Sequence, residues 1–556
     1  MKHRDRQVRR HPILNEETWG RGRLIPWSLT MDKLADHAAR WHGSVEIVSR
    51  GVEDTRRRTD WAAIRDQARR ATNALRAHGV VPGDRIATFA MNGDRHLAAW
   101  FGIMNMGAIC HTLNPRLSDD QLAYVINHAG DRIILADSAF RDVIARVRPH
   151  CPTVERALWF DGDGADGWDD WIAGAGTDCV WGDFPETAPA GLCYTSGTTG
   201  RPKGVVYTHR SNYLHTLMIL QPDVFDISAR TSLLLAVPMF HANAWGLCFA
   251  AAAAGSKLVL PGSRLDGAAL YELLEEEAVT LTAGVPTVWQ TLLQYCAENG
   301  LRLSTLERVM VGGARCPERL IRDFAEHGVE VQHNWGMTET SPLGTAGMPT
   351  AAVAALGEED QLQYKLTQGR VPLGVDIALF DAEGNELPRD GEAVGFLGVR
   401  GHSVIERYYR QDDSALDTHG FFDTGDIGTI DGQGYLRLTD RAKDAIKSGG
   451  EWISSSEIES VALNHPSVAI AAAIAVPHPK WGERPMLVVQ LRPGAEPDVD
   501  SIRNVLIGGL AKWAVPDEIR FVAAIPVNGT GKIDKVQLRQ QVFGAAPTPT
   551  VALTGA

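Results

Sequence analysis

Short apolar runs alternate with amphipathic stretches along most of this chain, and that alternation confines it to layered α/β architectures. Residues 85–90 read as a strand, 96–106 as a helix, 108–113 as a strand, 119–128 as a helix and 132–136 as a strand. Asn114-Pro115 and Gly130-Asp131 punctuate the turns. Strands joined in this way pair in parallel, with both sheet faces covered. The rhythm returns over 232–237, 268–277 and 281–284. Residues 377–380, 398–400 and 435–438 are short strand runs with Asp/Gly turns and read as a β-rich subdomain. From about Asp440 the texture changes. Residues 456–464 and 502–510 read as helices, and 468–476, 486–491 and 519–525 as strands, which makes a separate α+β unit. The expected fold class is α/β, with a large N-terminal domain of parallel-sheet αβ layers plus a β-rich subdomain, followed by a small α+β C-terminal domain.

At 556 residues the chain exceeds one ordinary core, so two or three domains are expected. A net charge of −13 leaves no basic excess to cover phosphates and excludes nucleic acid as the expected partner. The cysteines, Cys110, Cys151, Cys179, Cys193, Cys248, Cys296 and Cys316, are scattered and odd in number, with no Cys-x-x-Cys pair. They read as reduced thiols of a cytoplasmic protein without structural zinc. No apolar run is long enough for a transmembrane segment, and the longest, over 247–254, is alanine-rich and reads as buried core. The arginine-rich start and the Ala/Pro/Thr-rich end read as a disordered leader over 1–30 and a disordered tail over 544–556.

The chemistry concentrates in Tyr194-Thr195-Ser196-Gly197-Thr198-Thr199-Gly200-Arg201-Pro202-Lys203-Gly204-Val205. Glycine backbone can approach a polyphosphate closely, and successive N–H groups and hydroxyls can surround its oxygens while Lys203 adds a point charge. The spacing differs from a Walker A loop, because Arg201 and Pro202 separate Gly200 from the lysine. A flexible linker is the plainer alternative, but linkers rarely hold a lysine inside such a run and lead straight into an apolar segment. Glu339 lies among hydroxyls in Trp335-Gly336-Met337-Thr338-Glu339-Thr340-Ser341, a setting that suits Mg²⁺ beside phosphates. A buried tryptophan and a solvated glutamate are the alternative there. Asp426 ends Phe422-Asp-Thr-Gly-Asp426, where its carboxylate could take both hydroxyls of a ribose. His241, in Phe240-His241-Ala-Asn-Ala-Trp245, would by composition alone be a satisfied core histidine.

These strings, in this order, resemble the adenylate-forming superfamily of acyl-CoA synthetases, peptide-synthetase adenylation domains and beetle luciferases. The resemblance spans residues 31–542 or so and implies ATP, Mg²⁺ and coenzyme A as cofactors and a small carboxylic acid as substrate. It makes 31–440 the N-terminal adenylate-forming domain and 441–543 a mobile C-terminal domain. Thr195, Ser196, Gly197, Thr198, Thr199, Gly200 and Lys203 then hold phosphates. Gly313, Ala314, Arg315, His333, Trp335, Gly336, Met337 and Thr338 line the nucleotide, with Trp335 stacked on adenine. Asp426 and Arg441 take the ribose, and Lys443 is the hinge. Glu339 and Thr198 hold the metal. His241 borders the acyl pocket and Trp245 gates it, with Gly312 and Pro342 also facing the acid. Lys447, Ser448, Gly449, Gly450, Glu451 and Trp452 form the CoA loop. Lys532, in Asn528-Gly-Thr-Gly-Lys532, is the adenylation lysine that orients the substrate carboxylate.

The wording around Trp245, Pro342 and Trp452 is closest to medium/long-chain fatty acyl-CoA synthetases and to bacterial 3-methylmercaptopropionate ligases. The implied function is ATP-dependent acyl-CoA ligation of a medium- or long-chain fatty acid. A short thioether or arylalkanoic acid is the alternative, and a non-catalytic nucleotide-binding homologue the rival of a different class. Relatives with the tryptophan segment are often dimers, so a homodimer is expected.

Overall fold

The computed structural model describes residues 25, 27–51, 54–195, 201–449, 451–527 and 533–544. Most of the expected leader and all of the expected tail after Gly544 lie outside the described residues. Two large sheets are built from β1 (Glu46–Arg50), β2 (Arg56–Asp60), β3 (Arg85–Phe89), β4 (Ile109–Thr112), β5 (Ile133–Ala136), β6 (Arg156–Trp159), β7 (Pro189–Tyr194), β8 (Gly204–Thr208), β9 (Ser232–Leu235), β10 (Lys257–Leu260), β11 (Leu281–Gly284), β12 (Arg308–Val311) and β13 (Glu330–His333). One runs β6-β5-β3-β4-β7-β8 and the other β13-β12-β11-β9-β10-β1-β2. Their interior strands pair in parallel and are buried on both faces, as the near-continuous apolar runs require. Each sheet also carries an antiparallel edge strand, β8 on β7 and β2 on β1. The alternation does not foretell these. Residues 195–203 and 51–55 are too few for a crossover, which needs a dozen or more, so the chain turns back on itself.

Local chemistry sets the element ends. The helix Asp119–Ala129 starts at Ser118, whose hydroxyl accepts from the Gln121 amide while the Gln121 side chain accepts from the Ser118 amide. The helices Asp94–Asn105 and Leu247–Ala254 are buried on nearly every face, in the core shared by the two sheets.

The β-rich block is an antiparallel sheet. The hairpin β14 (Trp335–Gly336) and β15 (Leu343–Thr345) precedes it, and β16 (Val375–Phe380), β17 (Gly395–Gly401), β18 (Phe422–Ile430) and β19 (Leu436–Arg441) follow in sequential order. After β19 come β20 (Ile446–Ser448), β21 (Glu451–Ile453), β22 (Val468–His478), β23 (Gly482–Leu491) and β24 (Glu518–Phe521), in a sheet ordered β21-β20-β23-β22 with β24 beside β23. The helices Ser455–Ala462 and Val499–Gly509 share a core with it, formed by Ile446, Ile458, Val468, Leu487, Ile502 and Leu506 among others. This core is separate from that of the large sheets, as the change of texture near Asp440 implies. Among the described residues no helix is long and apolar enough to cross a membrane, and all seven cysteines are free thiols.

Candidate functional site

Several of the described sequence-derived residues gather where the C-terminal ends of β7, β12 and β13 face the antiparallel sheet. The Thr195 amide donates to the Lys203 carbonyl at 2.9 Å, closing the mouth of the β7–β8 hairpin. Ser196, Gly197, Thr198, Thr199 and Gly200 between them lie outside the described residues, as do Gly450 and Lys532. Lys203 is exposed, and its ammonium stands 4.6 Å from the centroid of the Tyr408 ring.

Glu339 lies in a single turn, Thr338–Thr340, that follows β14. Its side chain is buried and its Oε1 accepts from the Tyr408 hydroxyl at 2.9 Å. Burial pushes the carboxyl upward, and the Tyr408 bond, Arg441 and Lys203 oppose that shift. The backbone around it is tightly held. The Tyr207 hydroxyl donates to the Thr338 carbonyl at 2.9 Å, and the Met337 amide donates to the Pro342 carbonyl at 2.9 Å. A Cβ at Gly336 would lie 1.7 Å from the Pro342 oxygen, so only glycine allows this return. Pro342 is buried, behind Ser341, whose hydroxyl donates to the Ser403 carbonyl.

Asp426, on β18, brings two expected partners together. Its Oδ1 lies 2.7 Å from Arg441 Nε, and its Oδ2 accepts from Trp335 Nε1 at 2.9 Å. Trp335 is therefore fixed by its edge as well as by packing against Gly344. His333 is buried at the end of β13, where Nε2 accepts from the Cys316 amide at 3.3 Å. Burial lowers its pKa to about 4, so the ring is neutral and supports the loop from behind. In that loop Gly313 and Arg315 are half-exposed and Ala314 is exposed, following the buried Gly312. Burial also lowers the Arg315 pKa, while the acidic groups Glu457, Asp440 and Glu459 oppose the shift.

Trp245 sits on an unusual backbone, with His241 just before it. Residues Ala242, Asn243, Ala244, Trp245 and Gly246 have φ of 41°, 53°, 51°, 56° and 74°, one turn of the left hand. The turn sets the Trp245 indole across Gly312, where a Cβ would come within 3.0 Å of Cη2. His241 is half-exposed at the head of the turn, its amide bonded to the Pro238 carbonyl at 3.0 Å. The approach to this segment is clamped by Asn92, just past β3. Its Nδ2 donates to the Leu235 and Val237 carbonyls, both at 2.8 Å, and its Oδ1 accepts from the Met239 amide at 2.7 Å.

The remaining residues lie after β19. Lys443 is exposed in the turn to β20, and partial desolvation lowers its pKa. On the β20–β21 hairpin, Lys447 Nζ stands 5.3 Å from the Trp452 ring centroid, and Arg484 approaches the Ser448 hydroxyl at 3.4 Å. The Gly449 amide donates to the Trp481 carbonyl, and Glu451 pairs through its backbone with Ser448. Three side chains at the site have no counterpart in the sequence reading: Tyr408, Tyr207 and Asn92. Tyr408 and Glu339 are 69 residues apart, and Asn92 lies 143 from Leu235, distances over which no spacing rule operates. The only local signal was the aromatic pair Tyr408-Tyr409 itself.

Among the described residues no cluster of three or more His, Cys, Asp or Glu side chains could hold a metal by itself. A cation at Glu339 would draw its other oxygens from a bound phosphate and water, the habit of Mg²⁺. One buried carboxylate, with the Lys203 ammonium on the same tyrosine, fits that ion beside a phosphate.

Residues 34–409 match the family of AMP-binding enzymes, and residues 457–532 match the AMP-binding enzyme C-terminal domain. The 3-methylmercaptopropionyl-CoA ligase of Ruegeria lacuscaerulensis is 45% identical over 530 residues, which covers 94% of this chain and 98% of that protein. A medium-chain-fatty-acid–CoA ligase of Ectopseudomonas oleovorans is 43% identical, covering 94% of this chain and 97% of that protein. Among solved structures, ATP-bound MatB from Rhodopseudomonas palustris aligns with a TM-score of 0.78 at 26% identity, over 93% of this chain and 99% of that one.

Proposed function

Since the chain belongs to the AMP-binding enzyme family and is an acyl-CoA ligase, we propose that the acid it activates is a medium- or long-chain fatty acid. The acid attacks the α-phosphate of ATP, pyrophosphate leaves, and the thiol of CoA then displaces AMP from the acyl-adenylate. Activation is needed because a carboxylate offers an incoming thiol only an oxide as leaving group. The substrates carry the nucleophiles, so the protein supplies position and charge.

In this reading Lys203 and the hydroxyl-rich loop hold phosphate oxygens, and Asp426, braced by Arg441 and Trp335, takes the ribose. The adenine lies between the Gly313–Arg315 loop and Trp335. Glu339 holds Mg²⁺ with Thr198, and that ion when bound neutralises phosphate charge. Lys532 orients the acid carboxylate, a role that rests on its motif alone. Residues 31–440 and 441–543 act as two bodies that turn about Lys443, so that Lys532 serves the first half-reaction and Lys447 to Trp452 the second. The free thiols accord with a cytoplasmic setting.

The observation that carries the choice of acid is Trp245. Its indole spans Gly312 on a turn that an ordinary right-handed path would relieve, so it forms an apolar plug that can be displaced. A long chain requires that displacement, whereas a short acid does not. The second reading, a short thioether acid such as 3-methylmercaptopropionate, is favoured by the relative that is 45% identical.

The test is kcat/KM for a ladder of straight-chain acids and 3-methylmercaptopropionate, in wild type and Trp245→Ala. We expect the variant to shift preference towards longer chains by about ten-fold or more, on the scale of about 1–3 kcal/mol per methylene for pocket contacts. ATP affinity should hardly change. An unaltered profile, with 3-methylmercaptopropionate preferred by both proteins, would replace the fatty-acid reading by the second one.

A further inference from the structure

Tyr408 touches both charged groups of the proposed phosphate site, yet no step described so far uses it. Its hydroxyl donates to Glu339 Oε1 at 2.9 Å, and Lys203 Nζ lies over its ring at 4.6 Å from the centroid. The backbone on either side fixes the ring in that place. The Ile405 amide donates to the carbonyl of Glu339 itself at 3.0 Å, and the Tyr409 amide donates at 2.8 Å to the carbonyl of Gly204, the residue after Lys203. Residues 403–409 thus form a strap from the Glu339 turn to the start of β8. On a further side, Phe422 at the head of β18 meets the ring edge-on, with centroids 6.4 Å apart.

A carboxylate and an ammonium that meet the same side chain have the opportunity to pair with each other, and a paired carboxylate is a poorer metal ligand. The tyrosine offers each a different partner. A phenol hydrogen bond satisfies one carboxylate oxygen without neutralising the charge, and an aromatic face attracts a cation through its quadrupole. Carboxylates that bind metals are commonly oriented by such outer hydrogen bonds.

We propose that Tyr408 is a positioning residue for metal–nucleotide binding, its hydroxyl orienting Glu339 for the divalent cation and its ring face keeping Lys203 off that carboxylate and directed at phosphate. This rests on the reading of Glu339 as the Mg²⁺ ligand.

The experiment is ATP binding by calorimetry with the full chain, in EDTA and over a Mg²⁺ series, for wild type, Tyr408→Phe, Tyr408→Leu and Glu339→Gln. Tyr408→Phe keeps the ring and loses only the hydroxyl. It should raise the half-saturating Mg²⁺ by about 10–100-fold, the usual effect of losing such a partner, and leave ATP affinity in EDTA within about two-fold of wild type. Tyr408→Leu should also weaken ATP in EDTA, because Lys203 loses its seat. Glu339→Gln should raise the Mg²⁺ requirement at least as far as Tyr408→Phe. A Mg²⁺ requirement unchanged in Tyr408→Phe but raised in Glu339→Gln would overturn the role of Tyr408 and leave the metal reading intact. An unchanged requirement in Glu339→Gln would overturn both. Equal loss of ATP affinity with and without Mg²⁺ in Tyr408→Phe would mark the residue as packing only, and also overturn the proposal.

Discussion

Replacing Asn92 by alanine should cost far more than its size implies. The side chain is 4% exposed and makes bonds of 2.8, 2.8 and 2.7 Å to the backbone leading into the His241 segment. The two bonds to the Leu235 and Val237 carbonyls contribute about 1 kcal/mol net each, and the Met239 amide, stripped of its acceptor in a dry interior, adds about 1–3 kcal/mol. The sum is about 3–5 kcal/mol, a large share of the roughly 5–15 kcal/mol that keeps a domain folded. The assay is urea unfolding followed by tryptophan fluorescence, beside steady-state kinetics. The midpoint should fall, and kcat should fall with it, because the clamp fixes the backbone just before His241. Asn92→Asp sharpens the test. It keeps the shape and the acceptor for Met239 but turns a carboxylate oxygen towards the Leu235 and Val237 carbonyls. The fold would hold that carboxyl in its neutral form, raising its pKa above the unfolded value, so the variant's stability should be greatest at low pH and decline as pH rises. Asn92→Ala within about 1 kcal/mol of wild type, with unchanged kcat, would refute the reasoning.

Two further outcomes follow from the site and its surroundings. Lys532→Ala should abolish acyl-adenylate formation, measured by pyrophosphate exchange into ATP, while thioester formation from pre-made acyl-AMP persists; equal damage to both halves would reject its one-sided role. Burial pushes the Asp137 carboxyl up to about 7, with Asp161 adding to the shift and the Met91 amide opposing it. The stability associated with its neutral form is present at low pH and lost as pH rises through about 7, so Asp137→Asn, which can still accept from Met91, should melt higher than wild type above about pH 7 and match it near pH 4. A melting difference that does not vary with pH would exclude that account.

Much of the frame was legible because it depends on local chemistry. The buried runs of β3 to β5, β9 and β11 announce parallel strands, and Asn114-Pro115 and Gly130-Asp131 announce turns. The functional strings stood out because glycine, hydroxyl and carboxylate residues cluster in short segments. What sequence cannot display is pairing between segments distant along the chain. Trp335 and Asp426 are 91 residues apart, and nothing in either string says that the indole edge meets the carboxylate. Asn92 was invisible for another reason. Its partners are main-chain groups, which every residue carries, so no complementary side chain marks the other end. The turn at 242–246 runs against local preference, since alanine and tryptophan favour the right hand; tertiary packing decides it.

That turn also reverses the usual rule for glycine. In a right-handed helix, exchanging alanine for glycine costs about 1 kcal/mol. At Ala242, where φ is 41°, the same exchange removes a steric penalty of about 1–2 kcal/mol, offset in part by about 0.8 kcal/mol for the lost buried methyl. Glycine there would also let the segment populate both hands and loosen the hold on the indole. Breeding this chain for heat resistance and breeding it for a narrow choice of acid would therefore pull the same alanine in opposite directions.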